Sequence, residues 1–111
     1  MKREFIYTET FDKKWDDLGL DFDALTALEQ FLMANPTSGS VMRNTGGIRK
    51  LKWALPKKGK SGGIRILYVD FIFQEKIIVF DLFTKDEKDN LTPTEKSELK
   101  DIVKAIGKEL K

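Results

Sequence analysis

Apolar positions recur along this chain with two different periods, and the switches between them mark the elements. Phe5 and Tyr7 alternate with polar neighbours, which predicts a short strand over residues 4–9 with both rings on one face. Phe11, Trp15 and Leu18 then recur at i, i+4 and i+7, the spacing of a short helix, and Gly19 ends it. Asp21 is placed to cap a second helix. Leu25, Leu28 and Leu32 form the apolar stripe of that helix, with Phe22 and Phe31 beside it. Asn35-Pro36 stops it, because the proline ring disfavours helical backbone at the preceding residue.

Residues 37–47 are rich in Ser, Thr, Asn and Gly and read as a loop. Alternation returns over residues 48–55, with Leu51 and Trp53 pointing one way and Lys50 and Lys52 the other. Residues 56–63 form a basic loop. The runs 64–73 and 77–83 are almost continuously apolar and meet at Gln74-Glu75-Lys76, the pattern of an antiparallel hairpin in the middle of a sheet. Thr92-Pro93-Thr94-Glu95 then combines an N-cap, a proline at the first helical position and a glutamate two residues further on, a capping box. Leu99, Ile102, Val103, Ile106 and Leu110 make the buried stripe of this last helix, and Lys96, Lys100, Lys104 and Lys108 a solvated row that favours solubility. The order β-α-α-β-β-β-α predicts one α+β domain over residues 1–111. It has a small, mostly antiparallel sheet, two N-terminal helices and a C-terminal helix.

Composition narrows the chemistry. The 111 residues include no histidine and no cysteine, so disulfides, thiolate metal sites, cysteine nucleophiles and imidazole acids or bases are excluded. Catalysis would have to run on Lys, Arg, Tyr, Asp or Glu, and no metal site is expected. No apolar run approaches the roughly 18 residues of a membrane span. The N-terminus lacks the apolar core of a signal peptide, so the expected compartment is the cytoplasm and no membrane partner is expected.

The net charge of +2 conceals a strong segregation. Residues 1–29 carry four basic and eight acidic side chains, and residues 70–111 carry eight basic and ten acidic. Between them, residues 30–69 carry eight basic side chains and no Asp or Glu. These eight are Arg43, Arg49, Lys50, Lys52, Lys57, Lys58, Lys60 and Arg65. An acid-free zone suits a polyanion, since each carboxylate would repel phosphate and compete for its cations. The two acidic helices of the N-terminal third are expected to lie away from that surface.

Two motifs fall inside it. Residues 54–61, Ala-Leu-Pro-Lys-Lys-Gly-Lys-Ser, approximate a phosphate-binding loop, but that chemistry needs a helix to begin at Lys60-Ser61, and Gly62-Gly63 and a β-branched strand follow instead. A basic hairpin loop is the better reading. The second motif is Lys50, Lys52 and Arg65. The two lysines project from one face of a strand, and Arg65 enters the next strand across the loop. Three cations on one face repel one another unless an anion sits between them, which points to a phosphate site. Edge protection by lysine is the plainer alternative. Tyr68, on the strand of Arg65, offers a phenol to a phosphate ester or a stacking face to a base, although tyrosine in an apolar strand is more often core. Trp53, which shares its face with Leu51, reads as core. Lys85 and Lys88, interspersed with Asp86, Glu87 and Asp89, read as a solvated turn.

Three blocks carry a family resemblance: residues 46–53 (Gly-Gly-Ile-Arg-Lys-Leu-Lys-Trp), residues 57–68 (Lys-Lys-Gly-Lys-Ser-Gly-Gly-Ile-Arg-Ile-Leu-Tyr) and residues 83–92 (Phe-Thr-Lys-Asp-Glu-Lys-Asp-Asn-Leu-Thr). In content and order the chain resembles the RelE/HigB toxins of bacterial type II toxin-antitoxin systems. That resemblance implies a RelE/ParE-like fold and an endoribonuclease, or mRNA interferase, that cuts mRNA in the ribosomal A site and inhibits translation. It also implies a toxin that is monomeric alone, held inactive by a cognate antitoxin protein and independent of any cofactor. The catalytic set it implies is Lys50, Lys52, Arg65, Tyr68 and Lys85. Lys52 or Lys50 would act as base or charge stabiliser, Arg65 as phosphate clamp, and Lys85 as a further electrostatic contact or acid. Arg43, Arg49, Lys57, Lys58 and Lys60 would bind RNA. Relatives often carry tyrosine where this chain has Phe83, and some a basic residue in place of Asp86, which leaves the general acid open. A ParE-like gyrase inhibitor and a non-catalytic nucleic-acid-binding module are the alternatives.

Overall fold

The computed structural model describes residues 2–55, 63–84, 87 and 90–110. Its elements are β1 (Glu4–Tyr7), α1 (Glu9–Asp17), α2 (Phe22–Ala34), β2 (Ser40–Val41), β3 (Arg49–Trp53), β4 (Ile64–Phe71), β5 (Lys76–Thr84) and α3 (Pro93–Glu109). The strands form one sheet in the order β1-β5-β4-β3-β2. The architecture is α+β and the sheet is mostly antiparallel, with β1 running parallel to β5.

Local chemistry sets the helix ends where the sequence predicts them. Asp21 accepts from the Ala24 amide at 2.8 Å to cap α2. At α3, Thr92 Oγ1 accepts from the Glu95 amide at 3.1 Å while the Glu95 carboxylate accepts from the Thr92 amide at 2.9 Å, so both halves of the capping box form. The β4–β5 hairpin is central, as its two apolar runs require. It turns through a single 3-10 turn at Ile72–Gln74, with Glu75 in the left-handed region at φ 55°.

Those runs are continuous because helices cover both faces of the sheet. On one face Phe11, Trp15, Leu28 and Leu32 from α1 and α2 pack on Leu51, Ile64, Ile66, Tyr68, Ile77, Val79 and Leu82. On the other, Val103 of α3, with Leu99 and Ile106, covers Ile48, Leu67, Val69, Ile78, Phe80 and Phe83. A bulge between β4 and β5 leaves Tyr68 opposite Val79 but Leu67 opposite Asp81, so β5 has one residue more than its partner there. The extra residue restores the alternation, putting Leu82 toward α1 and α2 and Phe83 toward α3.

Three expectations need correction. Ser40–Val41 pairs with β3 as a fifth strand inside the stretch that reads as loop. Two residues are too few to show an alternation. Ile102 is 46% exposed because α3 meets the sheet through Val103, and Ile102 lies on its shoulder. Phe22, the first residue of α2, is 77% exposed, ahead of the turn where that helix reaches the core. Among the described residues no helix is long and apolar enough to cross a membrane.

One titration follows from the packing of β1 on α2. Burial, then the hydrogen bond that Tyr7 donates to Glu29, push the Tyr7 phenol well above its ordinary value of 10.0. The unfolded chain releases that proton near pH 10 and the folded chain retains it. The resulting stability is complete below that pH and is lost as pH rises above it. Between about pH 9 and 11, Tyr7→Phe should flatten the fall in stability measured by urea denaturation. An unchanged slope would contradict this.

A candidate cationic site

Register builds the site. Lys52 stands directly opposite Arg65, and Lys50 opposite Leu67. All three side chains therefore project from the face that carries Leu67 and Val69 beneath α3. Arg65 is flanked on its other side by Phe83. Lys52 is exposed, Lys50 is half-buried and Arg65 is only 5% exposed. Lys50 Nζ donates to Asn90 Oδ1 at 3.1 Å, which ties the approach to α3 to β3.

Opposed residues in an antiparallel pair have Cα atoms about 5 Å apart, so Lys52 and Arg65 emerge side by side. Like charges directly opposite each other on one face of a sheet repel. Of the acids on these strands, Asp70 of β4 is held by Arg3 at 2.6 Å and Asp81 of β5 by Lys14 Nζ at 2.8 Å. An anion seated between Lys52 and Arg65 turns the repulsion into two attractions. With a guanidinium fork on one strand and an ammonium on the next, the face suits a phosphodiester.

Tyr68 does not belong to this cluster. Three residues along β4 from Arg65, it points to the opposite face, where it is fully buried. Its hydroxyl donates to the Pro36 carbonyl at 2.8 Å and accepts from the Gly39 amide at 3.0 Å. Gly39 lies so close that a Cβ there would sit 3.0 Å from the Tyr68 ring. Tyr68 is thus a fastener for the segment after α2. Arg49 has the same task, donating from Nη1 to the carbonyls of Thr37 and Gly39 at 3.1 and 2.7 Å, on the face away from the lysines. Removing the phenol hydroxyl in Tyr68→Phe leaves two inward-facing backbone groups unsatisfied, at about 1–3 kcal/mol. Thermal unfolding should register that loss while any cleavage per folded molecule stays unchanged.

Arg43 is exposed in the loop between β2 and β3. Lys57, Lys58, Lys60 and Lys85, and the phosphate-loop resemblance with its Lys60-Ser61, fall outside the described residues. Trp53 packs against Phe31 with ring centroids 5.2 Å apart, as a core residue should. Asn90 and Phe83, both in the third block of the resemblance, also border the site. Pairing across the sheet brings Phe83 to Arg65, and α3 brings Asn90 to Lys50.

Among the described residues no group of three or more Asp or Glu side chains is placed to hold a metal ion. A groove of about 740 Å³ lies between β1 and α2, lined by Arg3, Phe5, Glu29 and Met33 among others, on the face away from the lysines. No known protein-family model matches the chain.

Proposed function

We propose that this protein is a ribosome-dependent endoribonuclease of the RelE/HigB kind, the toxin of a cytoplasmic type II toxin-antitoxin pair. The observation that carries the reading is Lys52 and Arg65 opposed across adjacent strands, with Lys50 on the same face. RNA brings its own nucleophile, the 2′-hydroxyl beside the scissile phosphate. Attack of that oxygen on phosphorus forms a cyclic phosphate and breaks the bond to the 5′-oxygen, which leaves with a proton. The protein has to accept the 2′ proton, hold the charge that builds on the phosphorane and supply a proton to the leaving group. Arg65 is the clamp for the non-bridging oxygens. Lys52 and Lys50 are the base and a second charge stabiliser, and Lys85 is the candidate for the remaining proton transfer. Having no histidine is compatible with this division of labour, because the ribosome can orient the mRNA. A cognate antitoxin that covers this face would silence the protein.

The test is primer-extension mapping of mRNA in a translating extract that expresses the protein. Cuts that need translating ribosomes are expected. Intact mRNA together with stalled gyrase complexes would replace the nuclease with a ParE-like inhibitor.

A further inference from the structure

Helix α3 sorts its charges by side. It meets the sheet through Leu99, Val103 and Ile106. Lys96 and Lys100, one turn apart, share the shoulder that faces β3. Their position is fixed at both ends. A Cβ built on Gly46 would lie 3.3 Å from Val103 Cγ1 and 3.7 Å from Lys100 Cγ, so the Lys100 stem crosses the loop that leads into β3. At the start of the helix, Lys50 bonds to Asn90. The opposite shoulder carries Glu95, Glu98 and the exposed Ile102 above the β5 side of the sheet, where they line a cleft with Lys14 and Asp81.

Solubility does not require this sorting. Neither Lys96 nor Lys100 has an acid three or four residues away on the helix, and each has a lysine at four. Like-charge neighbours at that spacing cost an isolated helix about 0.2–0.5 kcal/mol per pair. Arg43 is exposed on the same loop as Gly46. Lys100 thus stands over the loop that carries Gly46 and Arg43, and the start of α3 stands near Lys50, which shares its face with Lys52 and Arg65.

We propose that Lys96, Lys100 and Arg43 form a track for the phosphates of single-stranded RNA, delivering the strand to Lys50, Lys52 and Arg65. The inference rests on the nuclease reading and adds a footprint to it. The track binds backbone charge and takes no part in the bond-breaking step. It therefore acts on affinity and on salt dependence, and is indifferent to base sequence.

The experiment compares two double variants that each remove two positive charges from α3, Lys96→Gln/Lys100→Gln and Lys104→Gln/Lys108→Gln. Binding of a short, uncleavable 2′-O-methyl RNA is followed by fluorescence anisotropy over a range of salt concentrations. Losing two phosphate contacts to a single strand should lower the slope of log K against log salt by about 1.4. That drop is expected for the first variant and not for the second, whose lysines lie further along α3 from Asn90 and Lys50. In ribosome-dependent cleavage the first variant should need more protein for half-maximal rate and reach the same saturated rate. Equal slopes in the two variants, or no binding of the RNA even at low salt, would overturn the track. If the slopes differ as expected but the wild type cuts no mRNA, the track stands and the nuclease reading fails. If cuts are lost in an Arg65 variant while the slopes do not differ, the nuclease reading stands and the track fails.

Discussion

Arg65→Gln should lower the saturated rate of ribosome-dependent cleavage by about 100- to 1,000-fold, the usual effect of deleting one donor aimed at a developing oxyanion. The guanidinium is the one fork-shaped donor in the cluster, and on the nuclease reading it grips two phosphate oxygens at once. On that same reading its position opposite Lys52 would bring both cations to one phosphodiester. Because Arg65 is almost buried, loss of activity in this variant alone could reflect a damaged fold. Lys52→Gln separates the two. Lys52 is exposed, and such a change ordinarily shifts stability by no more than about 0.5 kcal/mol, so its thermal midpoint should stay near that of the wild type while its cleavage rate falls. Arg65→Lys, which keeps the charge and loses the fork, should fall between wild type and Arg65→Gln. Wild-type cutting by both Arg65→Gln and Lys52→Gln would remove the site from the reaction.

The second large effect concerns stability. Asp70→Ala is expected to lower the thermal midpoint by at least about 10 °C, from a loss of roughly 3–5 kcal/mol. Arg3, just before β1, donates from Nε to Asp70 Oδ1 at 2.6 Å and from Nη2 to Oδ2 at 3.2 Å. The pair reaches across β5 to join the start of the first strand to the end of β4, and its side chains are 2% and 5% exposed. Removing one partner strands a buried charge, whereas replacing both with apolar side chains does not. Arg3→Met/Asp70→Leu should therefore recover most of what Asp70→Ala loses, as read by differential scanning calorimetry. The hydrogen bond that Arg3 donates to Asp70 raises its guanidinium above the ordinary value, so on the alkaline side the pair's contribution is complete until the pH passes that ordinary value. By contrast Glu4→Gln, which breaks the Lys76–Glu4 pair at the surface, should cost no more than about 1 kcal/mol.

What could be read from the sequence was local. Asp21, Thr92 and Glu95 announce helix ends because a cap is made by neighbours in the chain. Lys50 and Lys52 announce a shared face because strand parity is fixed by spacing. The same parity places Tyr68 away from Arg65, since three residues separate them. The rest depends on pairings between distant segments. Nothing in residues 4–7 states that β1 runs parallel to β5. The near-continuous apolar run of β5 hides the bulge, because one more apolar residue leaves no mark in it. The side of α3 on which Lys96 and Lys100 fall is set by how the helix docks, and their four-residue period is equally compatible with a row facing only water.

The concentration of acids on α1 and α2, across the sheet from the strand cations, bears on how the molecule approaches a partner. α1 and α2 carry Glu9, Asp12, Asp16, Asp17, Asp23 and Glu29 on one side of the sheet, and Lys50, Lys52 and Arg65 project from the other. A net charge of +2 would by itself exert only a weak pull, yet charge separated in this way gives the protein an electric moment. Near a polyanion it experiences a torque as well as a force, and turns its lysine face forward before the surfaces touch. Productive encounters then become more frequent than random orientation allows, by an amount that shrinks as added salt shortens the range of the field.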